Sequence, residues 1–393
     1  MHLLIDEVQL WDGVGSLARP KMSVEVRDGR IHWVGPASQW QGNRATVRVV
    51  EGRARTLIPG LMDCHVHYSS PGGPDWIARF TDPIPEISMR AVELAEASLR
   101  SGVTTARDVG APQGVSIRLA HAARAGEIRA PNIRAAGTWI AHRGTYVSFA
   151  RHFGEAGELR AAIRSEIEAG AELIKVALSG WNESTRHQGA SEIPFDEKLL
   201  SVAVEEAHKS GFKIACHAND PTSCRIAARG GVDSLEHGMF LEADDLEAMV
   251  KNKTCLVPTM SVWDAMLCYA RAVDWPETRK KRAEDLRKGS RAAVTAAVRA
   301  GVQIALGTDA GGGAARHGRI AREAELMVEC GMEPRDALIA ATSTAARLIG
   351  EDERGSIEEG KVADMVLLDA DPLESIGALR LVAAVFQGGR HVA

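Results

Sequence analysis

The 393-residue chain contains no run close to the roughly 18 apolar residues that a membrane span requires. Its opening, Met1-His2-Leu3-Leu4-Ile5-Asp6, turns acidic too early for a secretory h-region, so a cytoplasmic protein is expected. Cysteine is sparse: six residues, Cys64, Cys216, Cys224, Cys255, Cys268 and Cys330, are dispersed with no Cys-x-x-Cys pair. This pattern favours reduced thiols over a disulfide frame. Basic excess is also lacking. With 47 Lys and Arg against 52 Asp and Glu, the formal charge is -5 and the pI about 6.2, which leaves no global basic surface for nucleic acid. The run Arg279-Lys280-Lys281-Arg282 is interleaved with Glu277, Glu284 and Asp285 and reads as a solvated helix face. Gly311-Gly312-Gly313 lacks the Lys-Ser or Lys-Thr of a phosphate loop. No low-complexity segment and no repeat beyond a strand-helix alternation is present. The expected partner is therefore a small molecule, with neither nucleic acid nor membrane, and the expected assembly is a homo-oligomer.

What the chain does have is Ile58-Pro59-Gly60-Leu61-Met62-Asp63-Cys64-His65-Val66-His67. Two imidazoles stand two residues apart at the end of an apolar stretch, and on a strand residues i and i+2 point to one face, where both rings reach one ion. Four more polar residues each end a short apolar run: Lys175, His217, His237 and Asp309. Burying a Lys or Asp at a strand end is costly unless it is paired or bound to metal. Six such groups at five strand ends are best read as one site. Cys64 and Cys216 adjoin these residues and, by alternation, point away from them.

The middle of the chain alternates strands with amphipathic helices. Strands are expected at the His65 motif and at 103–108, 133–139, 173–179, 213–217, 233–237, 255–259 and 303–309. Helices are expected at 86–100, 115–125, 158–169, 196–209, 222–228, 243–251 and 277–300. Eight strands with intervening helices imply an α/β fold of the (β/α)8 TIM barrel kind, with chemistry at the C-terminal strand ends. The flanks differ. Alternating segments around Asp28-Gly29, a hairpin signal, and a tail reading Gly355-Ser356-Ile357 to Asp369 predict a small β-sandwich composed of residues 1–55 and 355–393, around a barrel of residues 56–354.

These motifs, together with Thr104-Thr105-Ala106-Arg107-Asp108, Glu236-His237-Gly238, Gly307-Thr308-Asp309-Ala310-Gly311 and Gly355 to Asp364, resemble the amidohydrolase superfamily, close to its imidazolonepropionase-like and prolidase-like group. The resemblance spans nearly the whole length. It implies two divalent metal ions, zinc by first choice, with His65, His67 and Asp309 on the more buried one and His217 and His237 on the more exposed one. It also implies that Lys175 is carboxylated by carbon dioxide and bridges them. A carbamate presents anionic oxygens where a free ammonium would repel the cations. Such a centre holds a hydroxide near neutral pH, and Asp309 is the implied proton shuttle.

The resemblance further implies that His142, in the segment after the third strand, polarises the substrate carbonyl. Tyr146 nearby, and Trp181 and Arg186 in the loop beside the Lys175 strand, are the candidate substrate contacts. The expected reaction is hydrolysis of an amide bond in a small substrate such as an N-acyl amino acid or an Xaa-Pro dipeptide. The alternative is a cyclic amidase, lactonase or phosphotriesterase using the same centre. Lys175 argues against a deaminase, and the intact set of six argues against a metal-free binding protein.

Overall fold

The computed structural model describes residues 2–15, 17–73, 75–180 and 195–393. Its centre is built of parallel strands that follow the sequence reading closely. Leu61–Val66, Val103–Asp108 and Asn132–Ala135 pair in that order, and Ile174–Ala177, Ile214–Ala218, Ser234–His237 and Cys255–Val257 pair in theirs. Except for Asn132–Ala135, every residue of these strands is buried. That is the signature of parallel strands covered on both faces, and it explains why they read as short apolar runs.

Helices Ile84–Arg100, Val115–Ala125, Ala156–Glu168, Glu197–Lys209, Pro221–Arg229, Ala243–Asn252 and Glu277–Ala300 lie within a few residues of expectation. A further helix, Met260–Ala272, follows Cys255–Val257. Among the described residues no helix is long and apolar enough to cross a membrane.

Two strands depart from expectation. The third stops at Ala135, because Gly137 takes a left-handed φ of 74° and the Glu166 carboxylate captures the Thr138 N–H at 3.0 Å. The chain then forms an additional strand, Ile140–His142, which pairs with the Lys175 strand on one side and Arg151–Phe153 on the other. Residues 303–309 form no regular strand, yet they bond on both sides. Leu256 N donates to Gln303 O at 2.8 Å, Cys64 N to Leu306 O at 2.9 Å, and Asp309 N to His65 O at 2.8 Å. Glu172 N likewise donates to Ala135 O at 2.8 Å, linking the two parallel sheets.

The two ends of the chain meet in one eight-stranded sheet. Met365–Leu368 runs antiparallel to Thr56–Pro59, with Val366 opposite Ile58, and Thr56–Pro59 lies parallel to His2–Leu10. Arg19–Arg27 and Arg30–Pro36 form a hairpin across Asp28-Gly29, both with positive φ, as the dipeptide predicts. Leu3, Ile5, Val24, Leu57, Met365 and Phe386 form the apolar core of this sheet.

Candidate metal centre

The strand ends bring His65, His67, Lys175, His217, His237 and Asp309 to one place, all buried. Ring centroids are 5.3 Å apart for His65 and His67, 5.1 Å for His65 and His237, and 4.6 Å for His217 and His237. The parallel register creates this meeting, since His217 and His237 stand on adjacent paired strands next to the Lys175 strand.

Hydrogen bonds fix the tautomers. His65 Nδ1 lies 2.6 Å from Glu236 Oε2, and His67 Nδ1 lies 2.9 Å from the carbonyl oxygen of Gly110. Both partners only accept, so each Nδ1 carries the hydrogen and each Nε2 keeps its lone pair. Those Nε2 atoms stand 3.5 and 3.4 Å from Asp309 Oδ1. On the other side His237 Nδ1 meets Thr259 Oγ1 at 2.7 Å, while His237 Nε2 faces His217 Nδ1 at 2.8 Å.

The Nε2 lone pairs of His65 and His67 thus converge on the Asp309 carboxyl, while His217 and His237 are hydrogen-bonded to each other. His217 Nε2 and Lys175 Nζ, both buried, have no partner among the described residues. Burial holds His65, His217 and His237 far below the usual imidazole range and His67 at about 3, so all four rings are neutral. Burial also pushes Asp309 up to about 8, against the opposing charge of Lys175, and brings Lys175 down to about 8, against the opposing charge of Glu236. Neutral imidazoles, a carboxylate short of positive charge and an orphaned amine are the donor set that divalent cations complete. Ligand atoms of His65, His237 and Asp309 already lie within 4.8 Å of one another.

Three buried residues support this set from beneath. Arg107 donates to Glu236 Oε1 at 2.7 Å, to Ser234 Oγ at 2.9 Å and to Cys64 O at 2.5 Å. Burial raises the Glu236 carboxyl, but Arg107 and Lys175 outweigh it and keep the group ionised. Asp63 accepts from the Thr308 hydroxyl at 2.6 Å and from Thr308 N at 3.0 Å, tying the His65 strand to residues 303–309. Asp309 itself holds a left-handed φ of 52°, and the adjacent loop leaves no spare room: a Cβ at Gly312 would sit 2.2 Å from Asp309 Oδ1.

The cavity over the centre is lined by His65, His67, His217, His237 and Asp309 together with Trp76, Phe80, Trp139, Tyr146, Val147, Phe149 and Gly312. Tyr146 lies among them, its ring 5.0 Å from that of His217. His142 does not line it. That residue ends strand Ile140–His142, its Nδ1 3.0 Å from Arg143 O and its ring against Phe153. Trp181 and Arg186 lie outside the described residues.

The roles of Asp63, Arg107 and Glu236 escaped the sequence reading although all three stand inside quoted motifs. Asp63 precedes His65 by two, so the alternation that marks the candidate ligand also marks this support, whereas Glu236 precedes His237 by one and alternation gives no such signal. The aromatic wall left no such signal, since Phe80, Trp139 and Phe149 come from separate loops.

Known proteins resemble this chain over most of its length. Ochratoxinase of Aspergillus niger is 29% identical over 374 residues, covering 86% of this chain and 76% of that protein. Imidazolonepropionase of Maricaulis maris is 27% identical over 401 residues, covering 93% and 91%. A solved Xaa-Pro dipeptidase with bound methionine in its active site superposes with a TM-score of 0.89 at 29% identity, over 100% of this chain and 99% of that one. The sequence profile of the amidohydrolase family matches residues 56–392. A match of that extent, running through the His65 motif and every other strand end described, makes the chain a member of the amidohydrolase family and a hydrolase of carbon–nitrogen bonds.

Proposed function

We propose that the chain hydrolyses the amide bond of a small substrate, such as an N-acyl amino acid or an Xaa-Pro dipeptide, at a centre of two divalent metal ions. His65, His67 and Asp309 would hold one ion, His217 and His237 the other, and carboxylated Lys175 would stand between them. The observation that carries this reading is the convergence of four neutral imidazoles and Asp309 on one aromatic-walled cavity, with the buried, unpartnered Lys175 amine close enough to act on His65 and His217. When bound, the ions supply a water of lowered pKa and polarise the carbonyl.

The chain's own residues do the rest. Glu236 and the Gly110 carbonyl orient His65 and His67 through their Nδ1 hydrogens. Asp309 takes a proton from the attacking water as oxygen adds to the amide carbon. It returns that proton to the nitrogen as the C–N bond breaks, so the amine leaves neutral. The low affinity of Lys175 for a proton keeps its amine available to carbon dioxide. Of the remaining candidates Tyr146, which lines the cavity beside His217, is assigned contact with the substrate, whereas His142 does not line it and receives no role.

A (β/α)8 barrel of residues 56–354 with a sandwich of residues 1–55 and 355–393 is the architecture proposed with this function. The bonds of residues 303–309 to both neighbouring strands support ring closure, and the joint sheet of the two termini supports the second part. The test is a panel of N-acyl amino acids, Xaa-Pro dipeptides, lactones and phosphate esters, with product release followed with and without chelator. Chelator-sensitive release of an amine supports the reading, and turnover confined to the esters overturns it.

A further inference from the structure

We infer that the wall beside the metal centre is a subsite for an aromatic ring, so that the substrates are amides carrying an aryl group next to the scissile bond, with Trp139 setting that preference. The inference rests on the amide-hydrolase reading above and narrows its substrate class.

Only 5% of the chain is aromatic, yet Trp76, Phe80, Trp139, Tyr146 and Phe149 all line this cavity. Ring centroids lie 5.3 Å apart for Phe80 and Trp139, 5.1 Å for Phe80 and Phe149, and 5.4 Å for Trp139 and Phe149. The cluster abuts the centre directly, with Trp139 5.2 Å from the His67 ring and Tyr146 5.0 Å from the His217 ring. These spacings and mixed edge and tilted angles are those in which another ring is favourably received.

An aromatic cluster can also be plain core. Against that stands the indole nitrogen of Trp139, which is buried and has no hydrogen-bond partner among the described residues. A buried Trp N–H is ordinarily satisfied, so an unfilled donor on a cavity wall calls for a substrate acceptor. The chain also makes room for this indole. At Gly110 a Cβ would come within 2.5 Å of Trp139 Cε2, and the carbonyl of the same Gly110 orients His67. One residue therefore sets both a metal ligand and the ring subsite.

The enclosed space is about 20 Å³, room for a single water. A ring must therefore displace part of the wall. Tyr146 and Val147 also line a neighbouring cavity of about 350 Å³, with Ile77, Thr145, Ser148 and His152, and a shift of this segment toward that space would make the room.

The experiment uses the zinc-loaded full chain and two substrate series. One varies the acyl group on alanine (acetyl, hexanoyl, phenylacetyl), and the other varies the amino acid under an acetyl group (alanine, leucine, phenylalanine). The aryl member of at least one series should exceed its aliphatic counterparts in kcat/KM by roughly tenfold or more. Trp139→Leu and, should that variant fold poorly, Phe149→Ala should each bring the ratio toward one. Ratios within about twofold in both series, with turnover present, overturn the subsite and leave the hydrolase standing. If no amide is cleaved the hydrolase reading fails, and calorimetry then decides the subsite alone. Benzohydroxamate binding at least roughly tenfold tighter than acetohydroxamate supports it, and equal affinities overturn it.

Discussion

Glu236 stands between two buried cationic or proton-donating partners: its Oε2 takes the Nδ1 hydrogen of His65 at 2.6 Å and its Oε1 the guanidinium of Arg107 at 2.7 Å. Through this contact a candidate metal ligand on one strand is oriented by a carboxylate on the next-to-last strand of the other parallel sheet, and an arginine from the His65 sheet completes the chain of charge.

Replacing the carboxylate should therefore be felt at the metal. Glu236→Gln is expected to weaken zinc affinity by about 10–100-fold in competition with a chromophoric chelator, since removing the partner of a liganding imidazole has that typical effect. Glu236→Ala, which leaves Arg107 buried without a counter-charge, should in addition cost about 3–5 kcal/mol in denaturant unfolding.

Asp309 should show a different profile. Asp309→Asn removes the proton carrier, and kcat should fall by at least about 100-fold with a much smaller change in KM. A loss carried wholly by KM would place Asp309 in binding alone.

Gly312 offers a milder test of the same carboxylate. Its φ is not in the left-handed region, so alanine is tolerated by the backbone, but the new methyl would collide with Asp309 Oδ1 at 2.2 Å. Gly312→Ala should fold normally by circular dichroism and lose on the order of 100-fold in kcat/KM.

Lys175 makes activation depend on pH. Burial lowers its ammonium to about 8, so the neutral amine that reacts with carbon dioxide predominates above that value and is lost as pH falls below it. At fixed dissolved carbon dioxide, reactivation of metal-free protein by zinc should slow by roughly 50-fold from pH 8 to pH 6. Lys175→Ala should lose both metals together by elemental analysis, and unchanged metal content would contradict a bridging lysine.

Much of this candidate centre is legible because the spacing of its proposed ligands and strand periodicity coincide. His65 and His67 share a face by their spacing of two, and Lys175, His217, His237 and Asp309 each follow an apolar run short enough to be a covered strand. The third strand was overextended because Ala136-Gly137-Thr138 carries β-compatible neighbours, while the capture of Thr138 N by Glu166 comes from a helix remote in sequence. Arg107 could not be read as buried, since an arginine in a strand is ordinarily solvated and only the fold supplies Glu236 and Ser234 to receive it. The aromatic wall was invisible for a related reason: Phe80, Trp139 and Phe149 obey no period, and only loop packing assembles them.

The most direct test of the account is a zinc titration of metal-free, bicarbonate-supplied protein in which bound metal and amide cleavage are followed in the same samples. Activity should rise with occupancy and level off at two equivalents per chain. Full cleavage without metal, or cleavage unchanged by chelator, would contradict it.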